Sequence, residues 1–162
     1  MKQNETLRMT DNAVCEKQLT EHARQHLVHA FVRLLNASPD DGLHWTGTKT
    51  DLLEAAHIVF SDGSAYDELG QRPSFSELVH RTCTIFHIAP PANPRAYVNR
   101  ANARKGTFMR PLLERYRLML GTGADADPLS RFIRCRKSHR QTDRILTSSL
   151  PNNCRESSSL RP

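Results

Sequence analysis

Apolar residues along most of this chain recur at three- and four-residue steps, the period of a helix with one buried face. Over Asp11–Asn36 they are Leu19, Ala23, Leu27, Ala30, Phe31 and Leu34, which together predict one amphipathic helix. Ser38-Pro39-Asp40-Asp41-Gly42 stops it, since proline and glycine both resist continuation. A second helix starts at Thr48, whose hydroxyl can cap it while Asp51 sits three positions on, beside the first-turn amides. Its stripe is Leu52, Leu53, Ala56, Val59 and Phe60, and Ser61-Asp62-Gly63-Ser64 ends it. Ser74 with Glu77 forms a capping box for a third helix, with Phe75, Leu78, Val79, Thr82, Ile85 and Phe86 inward.

Ala89-Pro90-Pro91-Ala92 cannot be helical and forces a turn. Asn93-Pro94 then supplies an N-cap followed by proline at the first helical position, where the missing N–H costs nothing. The fourth helix presents Tyr97, Val98 and Ala101 on one side and Arg95, Asn99, Arg100 and Arg104 around the others; Gly106 weakens it. A last helix, Thr107–Leu120, carries Met109, Leu112, Leu113, Tyr116, Met119 and Leu120, with Pro111 in its first turn or at its true beginning. Beyond Gly121, the apolar residues Phe132, Ile133, Ile145 and Leu146 are too scattered for another packed unit.

The pattern therefore predicts an all-α chain: a flexible N-terminus over 1–10, an amphipathic helix over 11–37, a helical domain over 38–120 and a basic, largely disordered tail over 121–162. Within the tail, Leu129–Arg140 is expected at most as a short basic helix on a partner. Trp45, Leu52, Leu53, Val59, Phe75, Val79, Phe86, Val98, Leu113 and Tyr116 are the expected core.

Composition agrees with a modest core. The 162 residues suit one domain, and 38% apolar content with a mean hydropathy of −0.59 implies dilution by polar ends. No run approaches the ~20 apolar residues of a membrane span, and MKQNETLRMT lacks a secretory h-region, so a cytoplasmic protein is expected. Cys15, Cys83, Cys135 and Cys154 are scattered without a CxxC pair, which argues for reduced thiols and against a zinc module.

Charge adds a direction. Arg95–Arg140 carries a formal +9, against −4 for residues 1–94 and +1 for residues 141–162. Such a concentration attracts polyanions, because cations that neutralise phosphates release condensed counterions. A helix, a proline turn and a short helix rich in Arg and Asn outline a helix-turn-helix, whose second helix enters the major groove. Arg100 and Arg104 have forks suited to guanine edges and Asn99 suits adenine, whereas Arg95, Lys105, Arg110 and Lys49 are placed as phosphate contacts. Lys49 and Asp51 are read first as tying the second helix to a neighbouring loop, with a phosphate contact as the second reading for Lys49.

Trp45-Thr46-Gly47-Thr48-Lys49-Thr50-Asp51-Leu52-Leu53-Glu54-Ala55 resembles the W-x-x-S/T-K-T-D-L-x-E-L signature of the RteC family. The order continues through Phe75–Ile88, Tyr97-Val98-Asn99-Arg100 and Arg104-Lys105-Gly106-Thr107-Phe108-Met109, so the resemblance spans about Trp45–Leu120, the C-terminal half of the longer family members. It implies a winged-helix DNA-binding regulator linked to excision of tetracycline-resistance conjugative transposons. Two departures stand out. Tyr97-Val98-Asn99-Arg100 replaces the family's Tyr-Arg-Thr-Phe, and no alternating strand pattern marks a wing.

Other chemistries fare less well. His22, His26 and His29 share a helical face at metal-ligand spacing, but without a fourth ligand they read as a solvent-facing row. His80, Cys83 and His87 also share a face, where Cys83 reads as a small core residue. No phosphate loop, nucleophile elbow or carboxylate pair is present; Gly42 and Gly47 have the wrong spacing to make Lys49 a P-loop lysine. The expectation is a non-enzyme without cofactor or metal that binds double-stranded DNA and has no membrane association. The rival is a helical module that docks another protein without touching DNA.

Overall fold

The computed structural model describes residues 2–67, 69–104, 110–123 and 127–136, with the side chains of 2–13 outside the description. The chain is mainly helical. In order it forms α1 (Lys2–Leu35), a 3-10 turn (Pro39–Asp41), β1 (Leu43–Trp45), α2 (Lys49–Asp62), α3 (Phe75–Ile85), α4 (Pro94–Asn102), α5 (Leu112–Gly121), a second 3-10 turn (Pro128–Phe132) and β2 (Ile133–Cys135). None of the described helices is long and apolar enough to cross a membrane.

The capped helices sit where the caps predict. Thr48 and Ser74 each accept from the backbone N–H three residues on, and Asp51 and Glu77 bond back to them. Asn93 caps α4 through Ala96 N–H, with Pro94 leading the helix. Gly63 ends α2 at φ 75°, a conformation that L side chains avoid.

α2 is the centre, packed against α1, α3, α4 and α5. Leu52, Leu53, Ala55, Ala56 and Val59 are fully buried there. Nine of the ten expected core residues are buried, and Leu113 is half-buried. Two stripe positions are corrected: Leu19 is 54% exposed and Phe60 37%. Leu19 lines an open groove between α1 and α5 with Leu118 and Leu120, so neither helix covers it. Phe60 stands near the end of α2, its ring tilted against His57 and Phe75 instead of entering the interior.

Three further expectations give way. α1 begins at Lys2 rather than Asp11, so the helix takes in the N-terminal segment expected to be flexible. The last helix begins at Leu112 rather than Thr107; residues 105–109, Met109 among them, lie outside the described residues. The segment after Gly121 is ordered over 127–136. Leu129 is 1% exposed, and β2 pairs antiparallel with β1 in the register Leu43↔Cys135, His44↔Arg134 and Trp45↔Ile133. Within the stretch expected to turn helical only on a partner, the described residues form a 3-10 turn and a strand, and residues 137–162 of the expected tail lie outside the described residues.

Trp45 explains why that segment folds back. Its Nε1 donates to the Thr48 carbonyl at 3.0 Å, its face stacks on Phe132 at 5.4 Å, and Phe86 meets it edgewise at 5.7 Å. One indole therefore joins β1, α2, α3 and the second 3-10 turn. Gly42 admits the strand: a Cβ there would lie 2.5 Å from the Arg136 carbonyl oxygen, and its φ of 67° is left-handed. At the other end Asp127 caps the turn through Leu129 N–H and contacts Arg33 of α1 at 3.3 Å.

Candidate nucleic-acid interface

α4 is nine residues long and has two unlike sides. Val98 and Ala101 are buried and Tyr97 half-buried. Opposite them Arg95, Asn99 and Asn102 are exposed at i, i+4 and i+7, which aligns them in one ridge facing solvent. Arg100 is exposed on the flank of the helix that carries Tyr97, its guanidinium 4.5 Å from the centre of that ring, a cation–π contact that reduces its rotamer freedom. Of the residues expected on this surface, Arg95, Asn99 and Arg100 are there. Asn102 was missed, although the i+7 spacing from Arg95 would have found it.

Arg104 is not on the surface. Its Nη1 lies 2.6 Å from Asp51 Oδ1 and its side chain is 12% exposed. Arg115 of α5 reaches the same oxygen at 2.5 Å, while Asp51 Oδ2 accepts from Thr48 N–H. One carboxylate in the first turn of α2 thereby caps its own helix and ties down α4 and α5. Burial pushes the Asp51 carboxyl up, but hydrogen bonds from Arg104, Thr48 and Arg115 outweigh it and hold the group below the ordinary aspartate value. A guanidinium committed to a buried carboxylate is not available to a guanine, so Arg104 is withdrawn from the base-reading set.

Glu54, one turn along α2, is 94% buried and makes a second such contact. Its Oε1 accepts from Leu113 N–H at 3.3 Å, at the start of α5. Pro111 precedes that helix without a side-chain cap, so a carboxylate from α2 serves instead. Burial raises the Glu54 pKa against the pull of the Leu112 and Leu113 amides, and Oε2 has no hydrogen-bond partner among the described residues.

The expected phosphate contacts divide. Arg95 is exposed at the start of α4, close enough to His57 on α2 to add to the pKa depression that burial imposes on that ring. The charge of Arg95 in the first turn of α4 acts on His57 in the second half of α2, while Arg104 just past the end of α4 pairs with Asp51 in the first turn of α2, so the two helices run antiparallel. Lys49 Nζ donates to the Ala89 carbonyl at 2.9 Å, which makes it the loop tie and anchors the proline turn. Arg110 pairs with Glu114 at 3.2 Å, both about two-fifths exposed. Lys105 lies outside the described residues.

The helical histidine row breaks up. His26 Nδ1 lies 2.8 Å from the Tyr116 hydroxyl, whereas His22 and His29 are exposed. Burial first, then Asp127, pushes the Tyr116 hydroxyl well above the ordinary tyrosine value, so it stays protonated as a link between α1 and α5. Cys83 is fully buried and its thiol is pushed up by burial; His80 and His87 are exposed. Among the described residues, no three His, Cys, Asp or Glu are grouped to hold a metal. No protein-family model, curated protein or solved structure matches the chain.

Proposed function

We propose that this chain is a sequence-preferring, duplex-DNA-binding transcriptional regulator of the RteC type, with α4 entering the major groove and with the excision genes of a mobile element as its targets. The observation that carries the reading is the solvent ridge of Arg95, Asn99 and Asn102, with Arg100 exposed over Tyr97 on another flank of the same helix, which is anchored to α2 through Val98 and Ala101. Asparagine and arginine are the side chains that pair bidentately with adenine and guanine edges. The surrounding +9 segment supplies the field that draws a polyanion. The Thr48-Lys49-Thr50-Asp51-Leu52 string adds support: Thr48 caps α2, Lys49 ties the turn and Asp51 holds both neighbouring helices.

Gel-shift titration on mixed duplex DNA tests the reading. With Arg104, Arg115, Arg110 and Lys49 occupied within the protein, about three phosphates are neutralised and log affinity falls with log salt at a slope near −3. Absence of any shift at low salt overturns it. The second reading, a docking module without DNA contact, draws on exposed Leu19 and Leu118, which line one groove between α1 and α5.

A further inference from the structure

We propose that His44 and His87 form a two-imidazole binding site for a borderline divalent metal such as zinc, nickel or copper. The two residues are 43 positions apart in sequence, one on β1 and one just past the end of α3, and their ring centres lie 5.2 Å apart at an angle of 39°. That separation has a simple meaning. A metal–nitrogen bond of about 2.05 Å, extended by about 1.15 Å to the ring centre and opened to the tetrahedral angle, puts two imidazole centres about 5.2 Å apart. A tilt of 39° is far from parallel stacking.

Two independent features point the same way. His87 is the one non-glycine among the described residues with a left-handed backbone, at φ 55°. It occupies the position after α3 where glycine is ordinarily used: Ile88 N–H bonds the Cys83 carbonyl at 2.8 Å and His87 N–H the Thr84 carbonyl at 3.2 Å. A histidine kept where a glycine would be unstrained is a cost that a ligand role explains. Second, neither ring makes a hydrogen bond to any described residue. Their nitrogens are open to an outside ligand. His44 is half-buried, His87 is exposed, and both backbones are fixed, His44 by pairing with Arg134 and His87 by the helix-end bonds.

Two protein ligands give modest affinity and leave coordination positions for water or for a donor atom of a second molecule. Arg134 is the cross-strand partner of His44, and its positive charge opposes that of a bound metal.

Zinc chloride titrated into the full chain, followed by calorimetry and by the imidazole proton NMR signals, tests the site. We expect saturable 1:1 binding that shifts the His44 and His87 resonances, raises the melting temperature and disappears in His44→Ala and His87→Ala. His87→Gly separates ligation from capping. It removes the backbone strain, so the metal-free protein melts higher, while zinc no longer stabilises it. Binding that survives in both alanine variants belongs to the other histidines and overturns the proposal, as does the absence of saturable binding in the wild-type chain.

Discussion

The solvent ridge of α4 and the knot beneath it are built from the same residue classes and do opposite work. Arg100 and Arg104 stand four positions apart on one short helix or its edge, yet Arg100 is exposed over Tyr97 while Arg104 is 12% exposed against Asp51. In the dry region each charge must be met, because an unpaired buried ion costs several kcal/mol. In the wet region a cation costs nothing to leave unpaired and is free to meet a phosphate or a base edge. Burial, and not residue type, sorts structural arginines from candidate ligand-binding ones.

The sharpest way to break the comparison is at Asp51. Removing its carboxylate by Asp51→Ala strands Arg104 with no buried partner and leaves Arg115 half-committed, and is expected to cost about 3–5 kcal/mol in a denaturant titration. The pH signs of the two carboxylates are opposite. The folded pKa of Asp51 is lowered, so its contribution is present above 3.8 and lost as pH falls through the lowered value. The folded pKa of Glu54 is raised, so its contribution is present below 4.5 and lost as pH rises through the raised value. Glu54→Gln is expected to remove the second dependence and leave the first. Stability profiles of the two variants between pH 2 and 7 check both signs, and a wild-type slope surviving in Glu54→Gln sinks the assignment.

Residue patterns made α2, α3 and the start of α4 legible because each carries its own stop, cap and stripe within a few positions. Thr48 with Asp51 and Ser74 with Glu77 are local statements that need no partner. The segment 127–136 is the contrary case. Its order depends on Trp45 and Asp127 meeting groups far away in sequence, and Leu129, Phe132 and Ile133 fall at i, i+3 and i+4, a helical spacing that points away from the 3-10 turn and strand they form. The site divides likewise. The exposed α4 row follows from helical period, but Arg104 was misassigned because nothing local says that it faces Asp51, 53 positions earlier. Leu129→Ala weighs that lesson: at 1% exposure it is expected to cost about 2–5 kcal/mol, next to Leu53→Ala in the same range. A loss under about 0.5 kcal/mol returns 127–136 to the status of a dispensable tail.

On the ridge the expected effects are smaller and of another kind. Asn99→Ala or Arg100→Ala is expected to lower affinity for a preferred duplex by about 1–3 kcal/mol while leaving random duplex nearly untouched. Neither change should move the unfolding midpoint appreciably, since both side chains are exposed. Arg104→Ala is expected to show the reverse, a stability loss with weakened binding to every sequence alike. Parallel denaturant and gel-shift titrations read the contrast. Matched behaviour of Arg100→Ala and Arg104→Ala in both assays erases the distinction between ridge and knot.

Arg110 sits between the two regions and carries the smallest expected effect. Its i, i+4 pair with Glu114 is 3.2 Å long at two side chains each 40% exposed, a geometry worth about 0.3–0.5 kcal/mol at low salt. Its guanidinium already meets the Glu114 carboxylate, so it has an anionic partner before any phosphate arrives. Arg110→Ala is therefore expected to shift stability by no more than that amount and to leave the salt slope of DNA binding unchanged. A phosphate contact has a different signature: its loss weakens all duplexes equally and reduces the slope by about 0.9. Measuring the slope for wild type and Arg110→Ala at four salt concentrations decides the matter. A drop of that size extends the wet region past the end of α4 to the first turn of α5, whereas an unchanged slope confines it to α4.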